Sequence, residues 1–377
     1  MDLELSPAHQ ALQARARAVA EAELRPRAAE HDRLARFPEA QVRALAKAGF
    51  LQMLAPTSAG GAGLGSVAYS LVISEIAKAC PSSAVTMAVT NMVGDAIAAF
   101  GNQTQQDQHI PKLADATYWA GSFALSEPGA GSDAASLKAT AIKKGDRYVL
   151  NGNKCWITSG DRAGVVLVMA KTDPAAGAKG ISAFLVDPNS RGFSVGRHEE
   201  KLGLRASSTV TLVLEDVEVP EECRLGPEGI GFKIAMRALD GGRIGIGSQA
   251  CGVGYGALEA AIAYAAARPD LSGSQSIQWK LADAATTLDA ARLLVLRAAT
   301  KKDLGLPFAR EASMAKLFAT ESANQAALAA MEVLGADGLD PQHPVERALR
   351  DVRVTTIYEG TSEIQRLVIA RSVLASA

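Results

Sequence analysis

The sequence predicts an α+β protein of three units: an N-terminal α-helical domain over 1–118, a middle antiparallel β-barrel or sandwich over 119–226, and a C-terminal four-helix bundle over 227–377. Three observations point to it. Apolar residues recur at helical spacing from Ser6 to about Thr117. β-Branched runs separated by turn signals fill the stretch from Trp119 to Arg224. Long, alanine-rich helical segments return from Gly229 onward. A chain of 377 residues is long enough for two or three domains with real cores.

In the first unit, Ser6-Pro7 reads as a cap followed by a first-turn proline, and Ala11, Leu12, Ala18 and Val19 follow at helical spacing. Pro38 opens a second helix through Leu45, which Gly49 ends. The run Pro56-Thr57-Ser58-Ala59-Gly60-Gly61-Ala62-Gly63 is a loop by composition. Helices then run from Val67 to Ala79 and from Ser82 to Phe100. In the second unit, strands fall at Tyr148–Leu150, Val165–Met169, Ile181–Val186 and Thr209–Leu214. Turns are expected at Asn151-Gly152 and at Asp187-Pro188-Asn189, and the absence of intervening helices argues for an antiparallel arrangement. The third unit has helices at about 230–267, 276–303 and 309–334, with a shorter one after the cap residue Thr361. Helices this apolar bury more than one face, so bundling with self-association is expected.

Composition narrows the function. At 48% hydrophobic and 21% charged, the chain is a folded globular protein rather than a disordered one. Its 39 Lys+Arg against 40 Asp+Glu leave no basic excess of the kind nucleic-acid binders carry. Cys80, Cys155, Cys223 and Cys251 are scattered without a CxxC, and the five histidines show no ligand-like spacing, so no metal site is expected and a reducing compartment fits. The N-terminus, with Asp2 and Glu4, lacks a signal-peptide apolar run. No stretch is read as reaching the ~20 apolar residues of a membrane span. The expectation is a cytoplasmic protein.

Four segments carry candidate chemistry. Tyr358-Glu359-Gly360-Thr361-Ser362 sets a carboxylate on a glycine turn beside an aromatic ring, a setting that desolvates an acid and raises its pKa. Taken alone, the same residues more often form a plain helix-entry turn, since Thr361 and Ser362 are good caps. Ser126-Glu127-Pro128-Gly129-Ala130-Gly131-Ser132-Asp133 offers backbone and hydroxyl donors to an anion or flat ring, although a bare glycine loop is more often a turn. Asn153-to-Gly160 contains Trp156, either a half-buried core residue or a platform for a conjugated ring. Asp240-Gly241-Gly242-Arg243 lies inside a helix, where two glycines cost about 2 kcal/mol against alanine, so something must approach that backbone. The apolar run after Arg243 reads as buried, and a buried arginine needs a carboxylate or a ligand.

Six segments in order resemble the acyl-CoA dehydrogenase family across nearly the whole chain: Leu125-to-Asp133, Lys154-to-Gly160, Glu200-to-Thr209, Leu239-to-Gln249, Gln278-to-Asp283 and Tyr358-to-Arg366. The resemblance implies an FAD-dependent oxidoreductase of fatty acid metabolism that desaturates an acyl-CoA thioester between its α and β carbons. Glu359 matches the base that takes the α-proton while the β-hydride passes to flavin N5. The backbone N–H of the same glutamate would help hold the thioester carbonyl. Phe123, Leu125, Ser126, Gly131, Ser132, Trp156 and Thr158 would line the flavin, with Thr361 and Glu363 completing its C-terminal side. Ser132, Asp240, Arg243, Gly360 and Arg371 would fall on the acyl-CoA side, and Tyr358 would wall the acyl cavity. Arg268, Gln275, Glu332, Val333 and Ala336 match the segments that hold the ADP half of FAD across a subunit interface. The family passes electrons to an electron-transferring flavoprotein and forms homotetramers, as dimers of dimers.

The chain departs from that pattern at two places. Ala267-to-Gln275 runs from the arginine to the glutamine through a shorter loop, without the family's phenylalanine. Glu332-Val333-Leu334-Gly335-Ala336-Asp337-Gly338 carries Glu332 and Ala336 in place of a glutamine and a glycine. A glutamate repels a pyrophosphate unless Arg268 neutralises it, which implies weaker or rearranged FAD binding. Two alternatives stay open on the same scaffold: an acyl-CoA oxidase, and a flavin-poor acyl-CoA or acyl-carrier binding protein. Small residues at Ala84, Val85 and Ala88 imply room for a medium, branched or cyclic acyl group, whereas Asp240-to-Gly245 resembles short- and branched-chain members.

Overall fold

The structure is a computed structural model describing residues 4–375; Asp2, which bears on the signal-peptide expectation, lies outside the described residues. Helix α1 (Pro7–Val19) starts where the cap signal places it: the Ser6 side chain accepts from the His9 N–H at 3.3 Å, with Pro7 in the first position. It continues through a π-turn (Ala20–Leu24) into α2 (Arg25–Leu34). Then follow α3 (Glu39–Lys47), α4 (Gly65–Ala79), α5 (Pro81–Phe100) and α6 (Gln103–Ala114). An Asn102/Gln105 capping box opens the last of these, a helix the apolar pattern leaves unmarked.

The middle unit is one eight-stranded sheet. Its strands are β1 (Ala120–Ala124), β2 (Thr140–Lys144), β3 (Arg147–Thr158), β4 (Ala163–Lys171), β5 (Ile181–Val186), β6 (Phe193–His198), β7 (Thr209–Pro220) and β8 (Arg224–Leu225). The order is β6-β7-β3-β2-β4-β5-β8, with β1 beside β4. Pairing is antiparallel except for β1–β4 and a short β2–β4 contact. Asn151-Gly152 is not a turn. It lies inside β3, where the register against β7 shifts between Leu150 and Gly152. Gly152 takes φ +149°, and Asn151 exchanges two hydrogen bonds with Asp216. The long β3–β7 pairing overrides the local turn preference, and the chain reverses instead at Gly145-Asp146 between β2 and β3.

The C-terminal unit holds α7 (Gly231–Ala266), a short α8 (Pro269–Ser272), α9 (Gln275–Asp303), α10 (Ala309–Leu334), α11 (Pro344–Val352) and α12 (Ser362–Leu374). Their alanines share one apolar core with α1, α4 and α5, so the two helical units are not cored separately. α5 is long and apolar enough by composition to cross a bilayer, contrary to the sequence reading, but 78% of its most apolar window is buried inside the protein.

All three units meet at Arg350. Its guanidinium pairs with Asp32 of α2 at 2.8 Å and Glu346 of α11 at 2.6 Å, and donates to the Leu202 carbonyl of the middle unit at 3.1 Å. The neighbouring Asp351 is buried and accepts from the Leu204 N–H at 2.6 Å. Burial pushes its carboxyl up to about 7 against that hydrogen bond. Leu204 then packs with Val85, Val89, Met92 and Ala238, against Phe123, Val354 and Tyr358. That cluster joins the sheet to the turn after α11.

Candidate active site

The turn after α11 is set by two consecutive left-handed residues, Glu359 at φ +53° and Gly360 at φ +96°. A non-glycine residue there is strained, and buried donors hold it. Lys316 of α10, with no solvent exposure, donates to the Gly360 carbonyl at 2.8 Å. Gln365 of α12, equally buried, donates to the same carbonyl at 2.9 Å and to the Glu359 carbonyl at 3.3 Å. Thr361 caps α12 by accepting from the Ile364 N–H. Among the described residues nothing accepts from the Glu359 N–H.

This geometry turns the Glu359 carboxylate onto α7 at Gly242. A methyl group at Gly242 would overlap Glu359 Oε2, which accounts for glycine inside a helix that otherwise disfavours it. The residue is half-buried, but Oε2 is out of solvent and has no hydrogen-bond partner among the described residues. Burial pushes the Glu359 carboxyl up to about 7, opposed by the charges of Lys316 and Arg243. Burial likewise draws Lys316 down to about 8, against the pull of Glu359. A carboxyl poised near neutrality can take or give a proton at physiological pH.

Arg243 is buried and finds the carboxylate expected of it: Nη1 donates to Asp240 at 2.6 Å and to Ser313 at 3.3 Å, while Nε has no partner among the described residues. Burial raises the Asp240 carboxyl, with Arg243 opposing. The Tyr358 hydroxyl donates to the buried Gln249, whose own Nε2 donates to the Pro81 carbonyl at 3.1 Å. Of the three small residues expected to open the acyl cavity, Ala84 and Ala88 pack into the helical core. Only Val85 joins the cluster that contains Tyr358.

On the sheet side, Trp156 is not a core residue. It is 59% exposed, sits at φ +57°, and has its ring edge over Gly131. The neighbouring Lys154 is fully buried. Its ammonium bonds Glu127 at 2.7 Å and the Leu125 carbonyl at 3.1 Å. Burial works to raise Glu127, but Lys154 and the N–H groups of Lys138 and Ala139 outweigh it and hold it low. That pair fastens the glycine loop to β3. Gly131 and Ser132 are exposed along the loop, Ser126 accepts from the Cys155 N–H, and the Thr158 carbonyl accepts from Ser122. Phe123 faces the same apolar cluster as Tyr358.

Other expected residues lie elsewhere. Glu363 and Arg371 are exposed on α12. Arg268, Gln275, Glu332, Val333 and Ala336 gather at the opposite end of the bundle, about 33 Å from Gly242 at the rise of an α-helix counted along α7 to Tyr264. There Arg268 stacks on Tyr264 at 3.6 Å and pairs with Asp337. The neutralising partner of Glu332 is Lys280 rather than Arg268. Lys316 and Gln365 are site residues that sequence reasoning missed. The one available signal was a lysine and a glutamine at positions of otherwise apolar helical spacing.

Gly242→Ala is expected to displace the carboxylate and cost turnover on the order of a hundredfold. Its visible flavin absorbance should remain, because the Trp156 side of the site is untouched. Wild-type turnover in a folded Gly242→Ala protein would show that Glu359 does not act from this notch.

Three family models cover the chain: the acyl-CoA dehydrogenase N-terminal domain over residues 6–117, the middle domain over 122–217 and the C-terminal domain over 229–374. The chain is 48% identical to the mitochondrial short-chain specific acyl-CoA dehydrogenase of Mus musculus, over 99% of this chain and 92% of that protein. The solved butyryl-CoA dehydrogenase of Megasphaera elsdenii is 37% identical at a TM-score of 0.97, covering 99% of this chain and 100% of that one. A chain in the structure of the electron transferring flavoprotein of Acidaminococcus fermentans is 38% identical at a TM-score of 0.97, with the same coverage. With all three of its units matched in order, the chain belongs to the acyl-CoA dehydrogenase family.

Proposed function

We propose that the protein oxidises a short-chain acyl-CoA of the butyryl class to its α,β-enoyl-CoA, with Glu359 as the base. The observation that carries this reading is the buried, unpartnered Glu359 Oε2 on the Gly242 notch. Its pKa near neutrality suits removal of a weakly acidic α-proton. The N–H of the same residue, without an acceptor among the described residues, suits a thioester carbonyl oxygen and would stabilise the developing enolate charge. The α-proton goes to Oε2, and the C–H electron pair forms the α,β double bond. The hydride expelled from the β-carbon needs an acceptor.

FAD fits that need, and the chemistry it supplies when bound is acceptance of the hydride. The exposed Trp156 ring beside Gly131 suits a flat ring system. Ser126, Gly131, Ser132 and Thr158 would supply backbone and hydroxyl donors around it, with Phe123 and Leu125 behind. A related glutaryl-CoA dehydrogenase was solved with FADH2, which supports the assignment. Lys280 offsets the charge of Glu332, which lessens the repulsion that argued for weak FAD binding. Arg268, Gln275, Val333 and Ala336, far from Gly242 within one chain, would serve the FAD of a neighbouring copy. Electrons would leave to an electron-transferring flavoprotein, a reading the Acidaminococcus fermentans relative supports.

Glu359→Gln keeps the shape and removes the base. Oxidation of butyryl-CoA should fall by about a thousandfold while bound flavin is retained. A variant that turns over at the wild-type rate would overturn the assignment. Trp279, Leu293, Phe318, Leu328, Leu367 and Val373 are exposed on α9, α10 and α12, which supports a homo-oligomer, a dimer of dimers by the family pattern. Light scattering should give a multiple of the chain mass, and a monomer at micromolar concentration would contradict it.

A further inference from the structure

One side of α7 carries Gly241, Gly242 and Gly245, and each meets a side chain from a different element. Gly242 takes the Glu359 carboxylate. Gly241 faces Lys302 of α9 and, slightly further, Asp95 of α5, which form an ion pair at 2.9 Å with both side chains mostly buried. Gly245, one helical turn beyond the base, faces Tyr69 of α4. A Cβ there would stand 2.7 Å from the phenol oxygen and 3.4 Å from the ring.

Tyr69 is only 3% exposed. Among the described residues its hydroxyl makes no hydrogen bond, and burial raises its pKa, with Glu359 and Asp95 adding to the effect. The phenol therefore stands in the same confined space as the base without a polar partner of its own. No hydrogen bond accounts for a tyrosine here, whereas its bulk against Gly245 does. The ring fills the α7 face one turn from the Gly242 notch that takes Glu359, and the Asp95–Lys302 pair bounds the Gly241 side with charge. A longer apolar tail must displace the ring or strip water from an ion pair.

Resting on the dehydrogenase reading above, we propose that Tyr69 is the chain-length determinant. Its ring against Gly245 closes the acyl site about one helical turn beyond Glu359 and confines the substrate to short acyl groups. The Asp95–Lys302 pair closes the remaining side.

The test compares kcat/KM for butyryl-, hexanoyl- and octanoyl-CoA in purified flavin-loaded wild type, Tyr69→Ala and Tyr69→Phe. Tyr69→Ala is expected to raise the octanoyl-to-butyryl ratio by tenfold or more, on the order of what a few methylenes contribute in an apolar pocket. The gain should lie mainly in the KM for octanoyl-CoA. Tyr69→Phe keeps the ring and should leave the ratio near wild type. A folded, flavin-bearing Tyr69→Ala protein with an unchanged ratio overturns the inference. Should that variant fail to fold, Tyr69→Leu takes its place, with a shift toward hexanoyl-CoA expected and an unchanged profile overturning. Wild type that oxidises no acyl-CoA would instead sink the dehydrogenase reading. Calorimetric affinities for butyryl- and octanoyl-CoA in wild type and Tyr69→Ala would then decide the role of Tyr69, an unchanged affinity ratio again overturning it.

Discussion

The site depends on one backbone event: two successive residues, Glu359 and Gly360, held left-handed. Only that conformation turns the carboxylate back against α7, and a glutamate in it costs on the order of 1 kcal/mol or more. Two buried side chains from two helices offset the strain by donating to the turn's carbonyls, and Thr361 starts α12 directly behind it. The same closure removes water from the carboxylate, which lifts its proton affinity toward neutrality. Strain, burial and basicity are thus consequences of one fixed turn.

The turn would have nowhere to face without the small-residue helices. α7 runs from Gly231 to Ala266 with glycines where side chains from α4, α5, α9 and the Glu359 turn press against its backbone. Alanines in α7, α9 and α10 let these helices approach closely and merge their core with that of α1, α4 and α5. The Arg350 node then fixes the middle unit against both, setting Leu204 and Phe123 beside Tyr358. The sheet contributes a rigid ledge, with the buried Glu127–Lys154 pair anchoring the loop next to Trp156.

Much of this architecture is legible in the amino-acid sequence. Pro7, Thr361 and the β-branched runs act through local chemistry, so α1, α12 and the four expected strands fall where their residues put them. The glycine pair in α7 announces that something meets that backbone, and Arg243 announces its carboxylate, Asp240. What stays hidden depends on partners far away in sequence. α2 is a short, charge-rich helix held through Asp32 by the Arg350 network rather than by an apolar stripe. Asn151-Gly152 has the local chemistry of a turn, but its strand partner, β7, lies some sixty residues on and holds it extended. Lys316 and Tyr69 look like ordinary helix residues until the Glu359 turn is folded over them. Trp156 supports two readings by sequence, and its exposure decides between them.

Glu359 is the base in the proposed reaction, and its protonation is set by its surroundings. The most direct measurement is the second-order rate of flavin bleaching by butyryl-CoA under anaerobic conditions, followed across pH in the free enzyme. A carboxyl raised to about 7 is protonated, and unable to accept the α-proton, below that pH. The rate should therefore rise through an apparent pKa near 7 and level off above it. A rate that stays flat down to about pH 5, near the ordinary carboxylate range, would contradict a buried and desolvated base.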